Sequence, residues 1–83
     1  MGEVVVMFKI MPAEVDKYDT MKQKVIDLVK PEKIDEEYVA FGLKALKITL
    51  VLQDAKGGTD ELEKKLTTIP EVGSVELEGI GRL

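Results

Sequence analysis

Val4-Val5-Val6-Met7-Phe8-Lys9-Ile10-Met11, closed by Pro12, is the stretch from which the rest of the chain can be laid out. In an extended backbone Val4, Val6, Phe8 and Ile10 fall on one face, and Val5, Met7, Lys9 and Met11 on the other. Three consecutive β-branched residues favour extended backbone. Both faces are largely apolar, which places this strand in the interior of its sheet with a neighbour on each side.

The segments that follow supply those neighbours. Asp16 to Val29 reads as a helix: Tyr18, Met21, Val25, Leu28 and Val29 recur at helical spacing and form one apolar stripe. Asp16 is the expected N-cap, Asp19 suits the first turn, Lys30 the last, and Pro31 stops the helix. Pro31 to Glu37 is expected to be a polar connection and Glu37 to Phe41 a short strand, with Gly42 allowing a turn or bulge. Ala45 to Gln53 alternates strictly, with Leu46, Ile48, Leu50 and Leu52 against Lys47, Thr49, Val51 and Gln53. That is the pattern of a sheet covered on one face. After a loop at Asp54 to Gly58, a second helix begins with Thr59 as N-cap and Asp60 and Glu61 in its first turn. It carries Leu62, Leu66 and Ile69 on its apolar stripe and stops at Pro70. Val72 to Ile80 is the last strand, and Arg82-Leu83 form a terminal tail.

The order is β-α-β-β-α-β. Two right-handed strand–helix–strand units give an α+β fold, a four-stranded antiparallel sheet with both helices on one face, in the ferredoxin-like arrangement. With 83 residues and no linker or low-complexity stretch, residues 1–83 read as a single domain.

Composition then narrows the chemistry. The chain has no His, Cys, Trp or Asn; Ser74 is its one serine and Arg82 its one arginine. Without Cys it has no disulfide, no thiol nucleophile and no thiolate metal site. Without His it lacks the general base of a Ser-His-Asp triad. Covalent enzyme mechanisms recede and a binding module becomes the default. A net charge of −4 sets the chain against phosphate backbones, so no direct nucleic-acid binding is expected. The aromatic signature of an RNA-binding sheet is absent as well. The longest apolar run, Val4 to Phe8, is far short of the roughly 18 residues of a membrane span. No basic signal segment opens the chain. The expectation is a cytoplasmic protein with no cofactor and no bound metal. The acidic run Asp35-Glu36-Glu37 lacks the spacing of a calcium loop.

Four features remain as candidates. Gly57-Gly58-Thr59 opens a helix, which is either a flexible start with a Thr cap or an anion site, and Lys56 beside it is either solvated or a partner contact. Ala40-Phe41-Gly42 ends a strand, flanked by Lys44 and Lys47. Phe41 there is either a core residue beside a turn glycine or an exposed aromatic anchor. Arg82, one from the end, is either a solvated charge or a cation delivered on a short tail.

These features, in this order, resemble the guanine-nucleotide exchange domain of the translation elongation factor 1-beta family in its short archaeal form. The resemblance covers essentially the whole chain. It rests on Met1-Gly2-Glu3-Val4-Val5 with Pro12, on Ala40 to Lys47, on Asp54-Ala55-Lys56-Gly57-Gly58-Thr59-Asp60 and on Gly81-Arg82-Leu83. It implies the same fold and a function: promoting GDP release and GTP loading on the GTPase elongation factor 1-alpha, without covalent chemistry. It implies that Arg82 is the catalytic cation, in the place of a family lysine, and that Phe41, Gly42, Lys44, Lys56 and Leu83 contact the partner. A free monomer is expected. The alternative from another class is a ferredoxin-like regulatory domain that binds a small molecule near Gly57-Gly58.

Overall fold

The computed structural model describes residues 3–40, 42–53 and 58–82. Strand β1 is Glu3–Pro12, helix α1 Tyr18–Val29, β2 Lys33–Ala40, β3 Leu43–Gln53, α2 Gly58–Thr67 and β4 Val72–Arg82. The four strands form one antiparallel sheet in the order β2-β3-β1-β4. The fold is therefore the α+β, ferredoxin-like β-α-β-β-α-β arrangement, and β1 sits between two neighbours as its two apolar faces require.

The core lies between one sheet face and the helices. Val6, Phe8 and Ile10 of β1 and Leu46, Ile48 and Leu50 of β3 point into it, met by Tyr18, Met21 and Val25 of α1 and by Leu66 and Ile69. The register is set by this pattern: Phe8 stands opposite Ile48 and Ile10 opposite Leu46. A slip of one residue would turn every one of these side chains to the other face.

Several boundaries differ from expectation, each for a physical reason. Asp16 does not cap α1. It lies in a 3₁₀ turn, Val15–Lys17, that leads into the helix, and backbone carbonyls take over the capping: the N–H of Lys17 donates to Glu14 and that of Tyr18 to Val15. At the other end Lys30 adopts a left-handed conformation (φ 46°) and donates its N–H to the Ile26 carbonyl, which closes the helix before Pro31. Leu28, expected in the buried stripe, is exposed.

The stretch from Lys33 to Glu37 is strand rather than connection, paired from Thr49 to Ala45 of β3. It is an edge strand with no buried hydrophobic residue, so it lacks the apolar alternation by which strands are recognised. Across strands it is linked by Glu37, which lies between Lys47 of β3 and Lys9 of β1, each at 3.4 Å, while the Lys33–Asp35 pair at 3.7 Å lies within the strand. β3 begins at Leu43, two residues early. Helix α2 begins at Gly58, so Thr59 lies inside its first turn, and it ends at Thr67, ahead of Pro70. The hydroxyls of Thr67 and Thr68 donate to the carbonyls of Lys64 and Lys65 and satisfy its last turn. β4 runs past Ile80 to Arg82, whose backbone pairs with Val4; the terminal tail expected from Arg82 is corrected accordingly. Among the described residues no helix is long and apolar enough to cross a membrane.

Candidate functional site

Antiparallel pairing assigns the candidate residues to opposite ends of the sheet. β3 runs from Leu43 to Gln53, with β1 and β4 alongside. Gly42 and Lys44 sit at one end, in and just after the turn from β2 to β3. The Arg82 backbone sits at the other, across Val4 from Leu52. At about 3.3 Å per residue, the length of β3 separates these ends by roughly 33 Å. Gln53, the last residue of β3, also lies at the Arg82 end. Phe41, Lys56 and Leu83, and with them the loop Asp54–Gly57, lie outside the described residues, as does the Arg82 side chain.

The turn end can be built in detail. Gly42 has φ +79°, in the left-handed region that glycine enters without steric cost, and among the described residues beyond its chain neighbours no atom lies within 4 Å of where a Cβ would be. Tyr38 stands directly opposite Lys44, with Val39 as the extra residue of a bulge before Ala40 meets Leu43. Cross-strand neighbours share a face, so the Tyr38 and Lys44 side chains rise together. Lys44 Nζ lies 5.7 Å from the Tyr38 ring centre and 5.1 Å from that of Tyr18 on α1. A cation at that distance is attracted to the electron-rich ring face.

Tyr18 is held in turn. Its hydroxyl donates to Glu36 Oε2 at 2.7 Å, and Lys22 Nζ donates to the same oxygen at 3.3 Å. Burial, then the Glu36 carboxylate, pushes the Tyr18 hydroxyl well above the usual phenol range. The Tyr18 hydroxyl and then Lys22 hold Glu36 below the usual carboxylate range. The result is a chain of contacts from α1 through Tyr18 to both strands of the hairpin. Tyr38, the last member, is 78% exposed.

The acidic run is split by the strand's alternation. Glu36 faces the helices, while Glu37 is turned to the open face, where the ammonium groups of Lys47 and then Lys9 lower its pKa. Lys47, bound by Glu37 and reached also by Glu78 at 3.5 Å, titrates above its ordinary value.

Sequence reasoning reached Gly42 and Lys44 but missed the chain that ties them down. Tyr18 reads correctly as core, at 5% exposed, yet its hydroxyl leaves the core to bond Glu36. Tyr38 was only one of four aromatics. The sequence carries no signal for it: a regular hairpin continued from Ala40 and Leu43 would set Val39 opposite Lys44, and the bulge at Val39 is what brings Tyr38 there.

Comparison with known proteins gives this geometry its context. Residues 5–83 match the family model described as the EF-1 guanine nucleotide exchange domain. The chain is 39% identical to elongation factor 1-beta of Methanothermobacter thermautotrophicus, over 100% of this chain and 99% of that protein. It is 41% identical to elongation factor 1-beta of Methanococcoides burtonii, over 99% and 98% of the two chains. With elongation factor 1-beta of Thermoplasma acidophilum the identity is 32%, over 96% and 97%. These matches do not favour a small-molecule regulatory domain. By the match to residues 5–83 and these full-length similarities, the chain belongs to the elongation factor 1-beta family and is a guanine-nucleotide exchange factor of translation elongation.

Proposed function

We propose that this protein accelerates GDP release from elongation factor 1-alpha and that Arg82 is the residue that does so. The match of residues 5–83 to the exchange domain carries the reading. A GTPase holds its nucleotide through a phosphate-binding loop and a Mg²⁺ ion. A guanidinium brought to that site competes with the metal for the same negative oxygens. Weakening the metal loosens the diphosphate. At equilibrium the factor and the nucleotide then weaken each other's binding by the same factor. No proton transfer or covalent intermediate is needed, in keeping with a chain that has neither His nor Cys.

The division between the two ends of the sheet supports a two-part grip. In this reading Phe41, Gly42 and Lys44 anchor the partner at the turn. Arg82, whose backbone lies at the other end about 33 Å away by the rise of β3, meets it there, with Lys56 and Leu83 as further partner contacts. Pairing of Arg82 with Val4 ties the backbone of the effector residue to the central strand. Arginine is forked and always charged, so it can span two acceptors where the family's lysine offers a point charge. The protein acts in the cytoplasm without direct contact to nucleic acid and is a monomer when free of its partner, and sedimentation of the purified chain tests the monomer.

The experiment is release of a fluorescent GDP analogue from elongation factor 1-alpha. Wild type at micromolar concentration accelerates release, and Arg82→Ala slows it by at least about tenfold, a loss near 1.4 kcal/mol. No acceleration by wild type contradicts the reading.

A further inference from the structure

We propose that Tyr38 and Lys44 form a second, preorganised contact patch for the same protein partner, with apolar partner surface against the Tyr38 ring and a carboxylate against the Lys44 ammonium. The proposal rests on the reading that the β2–β3 turn, with Lys44, meets the partner, and it extends the contact to Tyr38 and gives each of the two side chains its own counterpart.

Tyr38 contributes little to folding. It is 78% exposed and sits on the edge strand, and its ring centre lies 5.7 Å from Lys44 Nζ. An aromatic left so bare on a strand end, next to Val39 at 45% exposure, is the residue type that most often anchors protein interfaces. Lys44 is half-buried. Among the described residues it forms no ion pair, whereas Lys9, Lys22, Lys24, Lys33 and Lys47 each have a carboxylate within 4 Å. Two rings hold its ammonium instead, at 5.1 and 5.7 Å. Glu36 acts on it through space but is itself bonded to Tyr18 and Lys22, so the Lys44 ammonium remains available to an incoming anion.

The support beneath the patch lowers the cost of binding. A free lysine side chain loses rotamer freedom when a partner fixes it, and a fixed one has already lost it. Tyr18 is 5% exposed and bonded to Glu36, so the inner ring under Lys44 is part of the core. Lys44 is thereby linked to α1 through the Tyr18 ring.

The test measures binding to elongation factor 1-alpha by calorimetry beside the exchange assay. Tyr38→Leu removes the ring and Tyr38→Phe keeps it; Lys44→Met removes the charge and keeps the stem. Tyr38→Leu is expected to weaken binding and raise the half-saturating concentration by about tenfold, with the maximal exchange rate and the melting temperature unchanged. Tyr38→Phe stays within about twofold of wild type. Lys44→Met weakens binding several-fold at low salt and less at high salt, as screening predicts. Wild type that accelerates exchange while Tyr38→Leu and Lys44→Met match it within about twofold overturns the patch and leaves the exchange reading standing. Wild type that binds without accelerating exchange, with Tyr38→Leu binding weakened, overturns the exchange reading and supports the patch. Wild type that does not bind overturns both.

Discussion

Ile34 and Ile48 stand opposite one another on the same face of the same sheet. Ile48 has no exposed surface, while Ile34 is 37% exposed. The chemistry of the two side chains is identical, so the difference belongs to their strands. β3 runs under the helices, and its Leu46, Ile48 and Leu50 are closed off by α1 and its neighbours. β2 is the outer strand, and its helix-side positions, Ile34, Glu36 and Tyr38, all remain exposed. The comparison separates two jobs in one sheet. β1 and β3 generate stability, and β2 with its turn displays side chains.

The sharpest way to break that division is to delete the same atoms on each strand. Ile48→Ala is expected to cost about 2–5 kcal/mol, because it opens a cavity in a packed core. Against a total stability of about 4–12 kcal/mol for a chain of this size, that removes a large share of the folding free energy. Ile34→Ala is expected to cost less than about 1 kcal/mol, since part of its surface is already wet. Urea midpoints followed by circular dichroism measure both, and equal losses would abolish the distinction between the strands.

Glycines offer a second, smaller contrast. A Cβ at Gly73 would lie 2.8 Å from the Pro12 carbonyl oxygen and 2.9 Å from Ala13 Cα, both backbone atoms that cannot step aside. Gly73→Ala therefore costs about 1–3 kcal/mol through displaced backbone. At Gly42 nothing among the described residues beyond its chain neighbours is near, and the positive φ opposes a side chain. Gly42→Ala costs about 1 kcal/mol. The same denaturation assay separates them; a larger loss at Gly42 would show that the turn is packed rather than open.

The smallest effect is electrostatic. Glu36, Glu37 and Glu71 have lowered folded-state pKa values, set first by the Tyr18 hydroxyl, by Lys47 and by Lys24 respectively. A depressed carboxylate stabilises the fold above its unfolded pKa, near 4.3, and that contribution is lost as pH falls through the folded value. Stability should therefore decline on acidification below about pH 4.5, and less steeply in Tyr18→Phe, which lacks the hydroxyl bond to Glu36. A Tyr18→Phe profile as steep as that of wild type would remove that bond from the account.

How much of this was legible beforehand follows the same line between strands. β1, β3 and the apolar stripe of α1 were readable because burial forces a period of two or of 3.6 on the sequence. β2 was mistaken for a connection over Lys33 to Glu37 because an edge strand exposed on both faces carries no such pattern. The capping of α1 by backbone rather than by Asp16 was hidden because a 3₁₀ turn leaves no composition signal. Gly42 and Lys44 were visible as a turn and a flanking charge. Their connection to Tyr18 and Glu36 depends on which residues sit opposite one another, and it emerges only once the hairpin register is known.

The central claim concerns the far end of the sheet, where β4 delivers the one arginine of the chain. The most direct measurement is the maximal rate of fluorescent GDP analogue release from elongation factor 1-alpha at saturating factor, wild type against Arg82→Ala. The account predicts that Arg82→Ala lowers this maximal rate by about tenfold or more while the melting temperature stays unchanged. An Arg82→Ala protein with the full wild-type rate at saturation would contradict it.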